Sequence, residues 1–109
     1  MKLLIAGSRS ITSFDLSPYI PDDVELIITG GAKGVDSLAE TYARERGIPT
    51  LTVKPAYEKY GRAAPILRDE EMVDMADAVL VVWDGVSRGS KHTADYARKK
   101  ERKLTVVLV

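Results

Sequence analysis

Two glycine-rich stretches, Gly30-Gly31-Ala32-Lys33-Gly34 and Asp84-Gly85-Val86-Ser87-Arg88-Gly89-Ser90, have the residue types that hold phosphate groups. Without Cβ atoms, backbone N–H groups approach an anion closely, and a helix that starts there adds the positive end of its dipole. A third stretch, Gly7-Ser8-Arg9-Ser10, has the same character. Arg9 and Arg68 offer guanidinium forks for two oxygens of a phosphate or carboxylate, or else pair with acids of the chain itself. Asp36 suits either a ribose hydroxyl or the first turn of a helix, where an acid is stabilising. Ser90 and Thr93 suit either a phosphate or a helix cap. The dinucleotide pattern G-x-G-x-x-G is absent after the first apolar run, and Gly34 is followed by Val35 and Asp36 rather than by Lys and Ser or Thr. An ordinary dehydrogenase or phosphate-loop NTPase is therefore excluded.

These residues need elements to position them. Apolar runs recur at Leu3 to Ala6, Leu26 to Thr29, Thr50 to Val53, Val79 to Trp83 and Thr105 to Val109. The first, fourth and fifth lack alternation and read as strands buried on both faces, as in a parallel sheet. Helical patterns lie between them. Val35, Leu38, Ala39, Tyr42 and Ala43 form one apolar stripe, with Gly47 as the C-terminal cap. A third helix is expected from Pro65 to Ala76. A fourth is expected from Ser90 to Thr93 onward, into the basic run Arg98 to Lys103. Pro18 and Pro21 limit the first crossover, Ser13 to Pro21, to one or two turns. The order is that of an α/β fold with five parallel strands, and all the unusual loops follow strand carboxyl ends, Pro55 to Arg62 after the third included. Strand order 3-2-1-4-5 would put the ligand crevice between the loops after strands one and four.

Lys and Arg total 16, as do Asp and Glu, so the net charge is zero and no global field attracts nucleic acid or an anionic membrane. Anion binding must be local. The chain has no cysteine and one histidine, His92, which excludes disulfides, thiolate metal sites and a cysteine nucleophile, and no metal site is expected. His92 reads as an exposed residue of a first helical turn. The basic run reads as cations complementing a helix C-terminus rather than as a nucleic-acid patch. Trp83 reads as packing, while Tyr57 and Tyr60 are available to stack on a base if they face the crevice. The apolar start is too short for a signal-peptide core or a membrane span. One domain over residues 1–109 and a cytoplasmic location are the expectations.

With these residues in place the chain resembles the YspA-like branch of the SLOG superfamily, a Rossmann-like group that includes the DNA-processing protein A (SMF) family and the LOG phosphoribohydrolases. The resemblance rests on Gly7-Ser8-Arg9; on Gly30-Gly31-Ala32, Gly34, Asp36, Leu38-Ala39 and Tyr42-Ala43; and on Tyr60-Gly61 with Ala64. It continues through Arg68, Met72 and Ala76-Asp77 to Asp84-Gly85, Ser87 and Gly89-Ser90. It implies a three-layer sheet with helices on both faces and a nucleotide-like ligand, such as ADP-ribose, held by the first, second and fourth loops. The site it implies comprises Gly7, Ser8, Arg9, Gly30, Gly31, Ala32, Lys33, Gly34, Asp36, Arg68, Asp84, Gly85, Ser87, Gly89, Ser90 and Thr93. LOG enzymes pair an arginine in the third helix with a glutamate three residues after the Gly-Thr of their motif. Here Arg68 matches the arginine, Gly89-Ser90 replaces Gly-Thr, and Thr93 stands at the glutamate. Threonine cannot serve as a carboxylate base, so binding rather than turnover is expected. Asp69 stands where the branch usually has asparagine, and an acid there would tie up Arg68.

A nucleotide-binding or sensing module is thus the leading expectation, with no cofactor beyond that ligand. A phosphoribohydrolase using Asp36 or Asp84 is the first alternative, and single-stranded DNA binding the second. A homo-oligomer that signals through an unidentified effector partner is expected.

Overall fold

A computed structural model describes residues 1–109. Five strands, β1 (Lys2–Gly7), β2 (Leu26–Thr29), β3 (Thr50–Thr52), β4 (Ala78–Trp83) and β5 (Lys103–Leu108), form one sheet in the order β3-β2-β1-β4-β5. Every pairing is parallel. The helices are α1 (Val35–Arg46), α2 (Tyr57–Tyr60), α3 (Ala64–Met75) and α4 (Arg88–Lys99), with short 3₁₀ turns at Ser17–Tyr19 and Gly61–Ala63.

Side chains alternate across the strands, so the two faces of the sheet build two cores. Leu3 and Ile5 face Val35, Ala39 and Ala43 of α1, together with Ile11, Leu16 and Ile20 of the first crossover. Leu4 and Ala6 face Met72 and Val73 of α3 and Ala94 and Ala97 of α4. β1 and β4 are therefore covered on both sides and consist of Leu, Ile, Val and Ala almost throughout. The result is a three-layer, Rossmann-like α/β fold. No helix is long and apolar enough to cross a membrane.

α1 ends at Gly47, which takes the left-handed conformation (φ 67°) and donates its N–H to Ala43 and Arg44 carbonyls. The first crossover holds only the 3₁₀ turn, with Pro18 in it. Three expectations need correction. β5 is not buried on both faces: it is the last strand, no helix reaches over its far side, and Leu108 is 69% exposed. The loop Pro55 to Arg62 contains α2 and the start of a 3₁₀ turn, elements too short to leave a periodic signal. α4 begins earlier than expected, at Arg88, and stops at Lys99, so the basic run divides between the helix end, a turn with Glu101 at positive φ, and β5.

Candidate functional site

The order in which successive strands are added to the sheet reverses between β1 and β4, and the loops that leave their carboxyl ends part there to form a crevice. A pocket of about 450 Å³ occupies it. Only 2 of its 14 lining residues are hydrophobic, so the pocket suits a ligand held by hydrogen bonds and charge rather than by apolar burial.

Three loops and the helices α1, α3 and α4 supply the walls. From the first loop come Gly7, Arg9 and Ser10; from the second, Ala32, followed by Asp36 in the first turn of α1. α3 adds Pro65, Arg68 and Asp69, and the fourth loop with α4 adds Asp84, Ser87, Gly89, Ser90 and Thr93. The other expected residues, Ser8, Gly30, Gly31, Lys33, Gly34 and Gly85, do not line the pocket. Ser8, Gly30 and Gly34 are buried behind it, whereas Gly31 and Gly85 are exposed. Ser8 is fully buried, donates its N–H to Val82, accepts the Val35 N–H on its carbonyl, and accepts the Asp84 N–H on its Oγ at 2.9 Å. Gly34 (φ 74°, ψ −126°) lies so close to Ser8 and Arg9 that a Cβ would fall on their backbone. Lys33 is exposed. Ala6, Ser10, Pro65 and Asp69 are wall residues outside the expected set; Ser10 had a signal in the Gly7-Ser8-Arg9-Ser10 stretch, and Asp69 had one as the acid beside Arg68.

Arg68 is buried and already occupied. Its Nε donates to Asp69 Oδ1 at 2.8 Å, and its Nη1 donates to the carbonyls of Gly30 (2.9 Å) and Val53 (3.2 Å). Asp69 thus takes one nitrogen and two loops take another. Nη2 donates to no protein group, and since no fully buried polar atom is left unpartnered, Nη2 is reached by solvent. Arg68 can offer a single nitrogen, not a fork. Arg9 is the opposite case: it is exposed, lines the pocket and forms no ion pair with any acid of the chain.

The three wall carboxylates differ in state. Asp84 accepts the N–H groups of Val86 and Ser87 (both 2.9 Å) and the hydroxyl of Ser10 (2.8 Å), which hold its pKa down to about 2. It is ionised at neutral pH and cannot supply a proton. Burial pushes Asp36 up, against the pull of the Ala32 N–H and Arg68. Burial likewise pushes Asp69 up, against Arg68.

Each state has a consequence. The lowered pKa of Asp84 makes its contribution to loop order full above about 3.8 and lost as pH falls through about 2. Asp84→Ala should accelerate amide hydrogen exchange at Val86 and Ser87 roughly tenfold at neutral pH, because two charge-assisted bonds are lost. For Asp69 the sign is reversed: a raised pKa gives stability that is full below 3.8 and declines as pH rises through the raised value. Asn at this position keeps an acceptor for Arg68 Nε and removes the buried charge. Urea unfolding at pH 4 and pH 8 should show Asp69→Asn gaining on the wild type as pH rises.

α4 presents its first turn to the pocket without a side-chain cap. Ser90 and Thr93 are buried inside the helix rather than capping it: Ser90 Oγ lies 3.3 Å from Ser87 Oγ, and Thr93 Oγ1 donates to the Gly89 carbonyl at 3.0 Å. The cap position belongs to Ser87. Trp83 packs on the α3/α4 side and donates its indole N–H to the Ser87 carbonyl, which fixes the fourth loop. Tyr57 and Tyr60 are exposed and do not line this pocket. His92 is half-buried, with Nε2 2.9 Å from Glu70 Oε2 of α3. No cluster of metal-ligating side chains is present.

Among protein-family models, the one described as YAcAr, the YspA, cpYpsA-related SLOG family, matches residues 1–60. The match takes in the first and second loops; Arg68 and the fourth loop lie beyond it. No curated protein matches the chain.

Proposed function

The chain belongs to the YspA, cpYpsA-related SLOG family, and from that premise we propose that the β1/β4 crevice binds a small phosphorylated nucleotide derivative of the ADP-ribose kind and serves as a ligand sensor. Membership points to nucleotide binding on a Rossmann-like fold; the finer reading is carried by the crevice itself. One observation supports it most: Arg9, a guanidinium unpaired with any acid of the chain, lines the same pocket as the uncapped first turn of α4. A phosphoryl group there would receive the N–H groups of Gly89 and Ser90 and a fork from Arg9. Arg68 Nη2 would add one further donor. Asp36, an acceptor at the base of α1, suits the hydroxyls of a ribose.

The balance of charge supports a small ligand. Two arginines face three carboxylates in the pocket, so attraction depends on aimed donors at short range rather than on a broad field that would hold a polymer.

Hydrolysis of an N-glycosidic bond is the second reading, favoured by the buried carboxyl of Asp36, which burial pushes up toward the range of a proton-transfer group and which, unlike Asp69, is not hydrogen-bonded to Arg68. Thr93 offers nothing to replace a catalytic carboxylate, since its hydroxyl is spent on Gly89. Incubation with nucleoside monophosphates that releases free base, and stops in Asp36→Asn, would favour this reading over simple binding.

Isothermal titration against ADP-ribose, AMP, NAD and cyclic nucleotides tests the binding reading. At least one should bind, and Arg9→Ala should weaken it by roughly tenfold to a hundredfold, the loss of a charge-assisted fork. Heat from none of them, with protein freed of any retained ligand, would remove it.

A further inference from the structure

α3 has a second face that the pocket does not use. Ala64, Arg68, Met72 and Val73 turn inward, while Ile66 and Leu67 are 47% and 37% exposed, beside Tyr60 at 44%. Tyr60 and Leu67 share a groove of about 250 Å³ with Glu70, Glu71 and Asp74. Isolated exposed apolar residues are ordinary, but these adjoin one another on consecutive elements. The charge along this strip is divided. Lys54, Lys59 and Arg62 lie before α3, and Glu70, Glu71 and Asp74 lie on its second half. Arg62 and Glu71 are exposed, and neither takes part in any ion pair of the chain.

We propose that this strip pairs with the same strip of a second copy of the chain around a two-fold axis. A two-fold axis perpendicular to α3 makes the two α3 helices antiparallel and requires the surface to complement itself. This one does. With the axis between Ile66 and Leu67, the basic turn before α3 that carries Arg62 in one copy faces the acidic second half of α3 that carries Glu71 in the partner subunit. The same contact repeats on the other side. The apolar residues then meet at the centre and the opposite charges at the rim, the arrangement of a stable interface. A basic peptide would satisfy the acidic half of the strip and leave Lys59 and Arg62 unmatched, and an acidic one the reverse; a second copy satisfies both halves with the charges this chain already carries. The proposal does not depend on what the pocket binds.

Sedimentation velocity between 1 and 200 µM, on protein checked for its fold by circular dichroism, provides the test. The wild-type chain should dimerise. Leu67→Glu should raise the dissociation constant more than tenfold, and so should either Arg62→Glu or Glu71→Arg alone, since each places like charges together. An equimolar mixture of Arg62→Glu and Glu71→Arg should recover a heterodimer, because both rim contacts again pair opposite charges. Leu108→Lys on β5 should leave the dimer unchanged. A wild-type monomer across the range, a dimer indifferent to the three α3-strip variants, failure of the mixture to recover, or dissociation by Leu108→Lys would each overturn the proposal.

Discussion

Arg68→Ala should destabilise the protein by about 3 kcal/mol, because removing one member of a buried ion pair leaves the other charged and unpartnered. For a domain of this size that corresponds to a fall in Tm of roughly 12–24 °C. Asp69 loses its 2.8 Å partner, and the Gly30 and Val53 carbonyls lose their donor. The pH dependence separates this cause from a simple packing loss. Arg68 lowers the pKa of both Asp36 and Asp69, so its removal pushes both further up. The penalty should then be greatest at neutral pH, where those carboxyls are forced to ionise, and should shrink toward pH 4 as they take up protons. Thermal melts of the variant and wild type at pH 4, 5.5 and 7 would read this directly. A gap that is constant across the range would mean that the arginine acts through its aliphatic stem alone.

Gly34→Ala is expected to be of similar size, for a reason that involves no charge. The glycine leads into α1 at φ 74° and ψ −126°, a region that residues with a Cβ enter only under strain. The added carbon would also meet the Arg9 Cα at 2.6 Å, and backbone atoms cannot swing away as the end of a side chain can. Roughly 3 kcal/mol is the expected loss from strain and overlap together. Gly47→Ala is the control. Gly47 also has positive φ, but it sits in the ordinary left-handed well with nothing within 4 Å of the added carbon. It should cost about 1 kcal/mol. Urea unfolding of the two variants side by side measures the difference that the crowding at Gly34 makes.

Both predictions concern residues whose roles the amino-acid sequence could show only in part. The order of the strands was legible because β1 and β4 are nearly continuous in Leu, Ile and Val, and because every polar, glycine-rich loop follows a strand carboxyl end. That placed the crevice between the first and fourth loops. The exposure of β5 was not legible from composition, since an edge strand can be as apolar as a central one, and only its place in the sheet shows that nothing covers its far side. Ser90 and Thr93 read as cap or ligand residues because the start of α4 could be fixed only to within a turn; with Arg88 as the first residue, both lie inside the helix.

The glycines carried the least decisive signal. Gly30 and Gly34 have the spacing of a phosphate cradle, yet each has a reason within the chain: Gly34 packs on the first loop, and a Cβ on Gly30 would meet the Arg68 guanidinium at 2.6 Å. The contact between Arg68 and Gly30 spans 38 residues, and no local pattern announces it. Asp69, by contrast, was legible as a competitor for its neighbour Arg68. Geometry refines that expectation: Asp69 takes Nε alone, and Nη2 has no protein acceptor.

The central claim is that the β1/β4 crevice holds a phosphorylated nucleotide derivative against Arg9 and the first turn of α4. The most direct measurement is a titration of uniformly ¹⁵N-labelled protein with ADP-ribose and AMP, followed by amide chemical shifts. Saturable shifts are expected at Arg9, Ser10, Gly89 and Ser90, and their loss in Arg9→Ala. Saturable shifts confined to the α3 strip or to β5, or no shift with either compound at millimolar concentration, would contradict it.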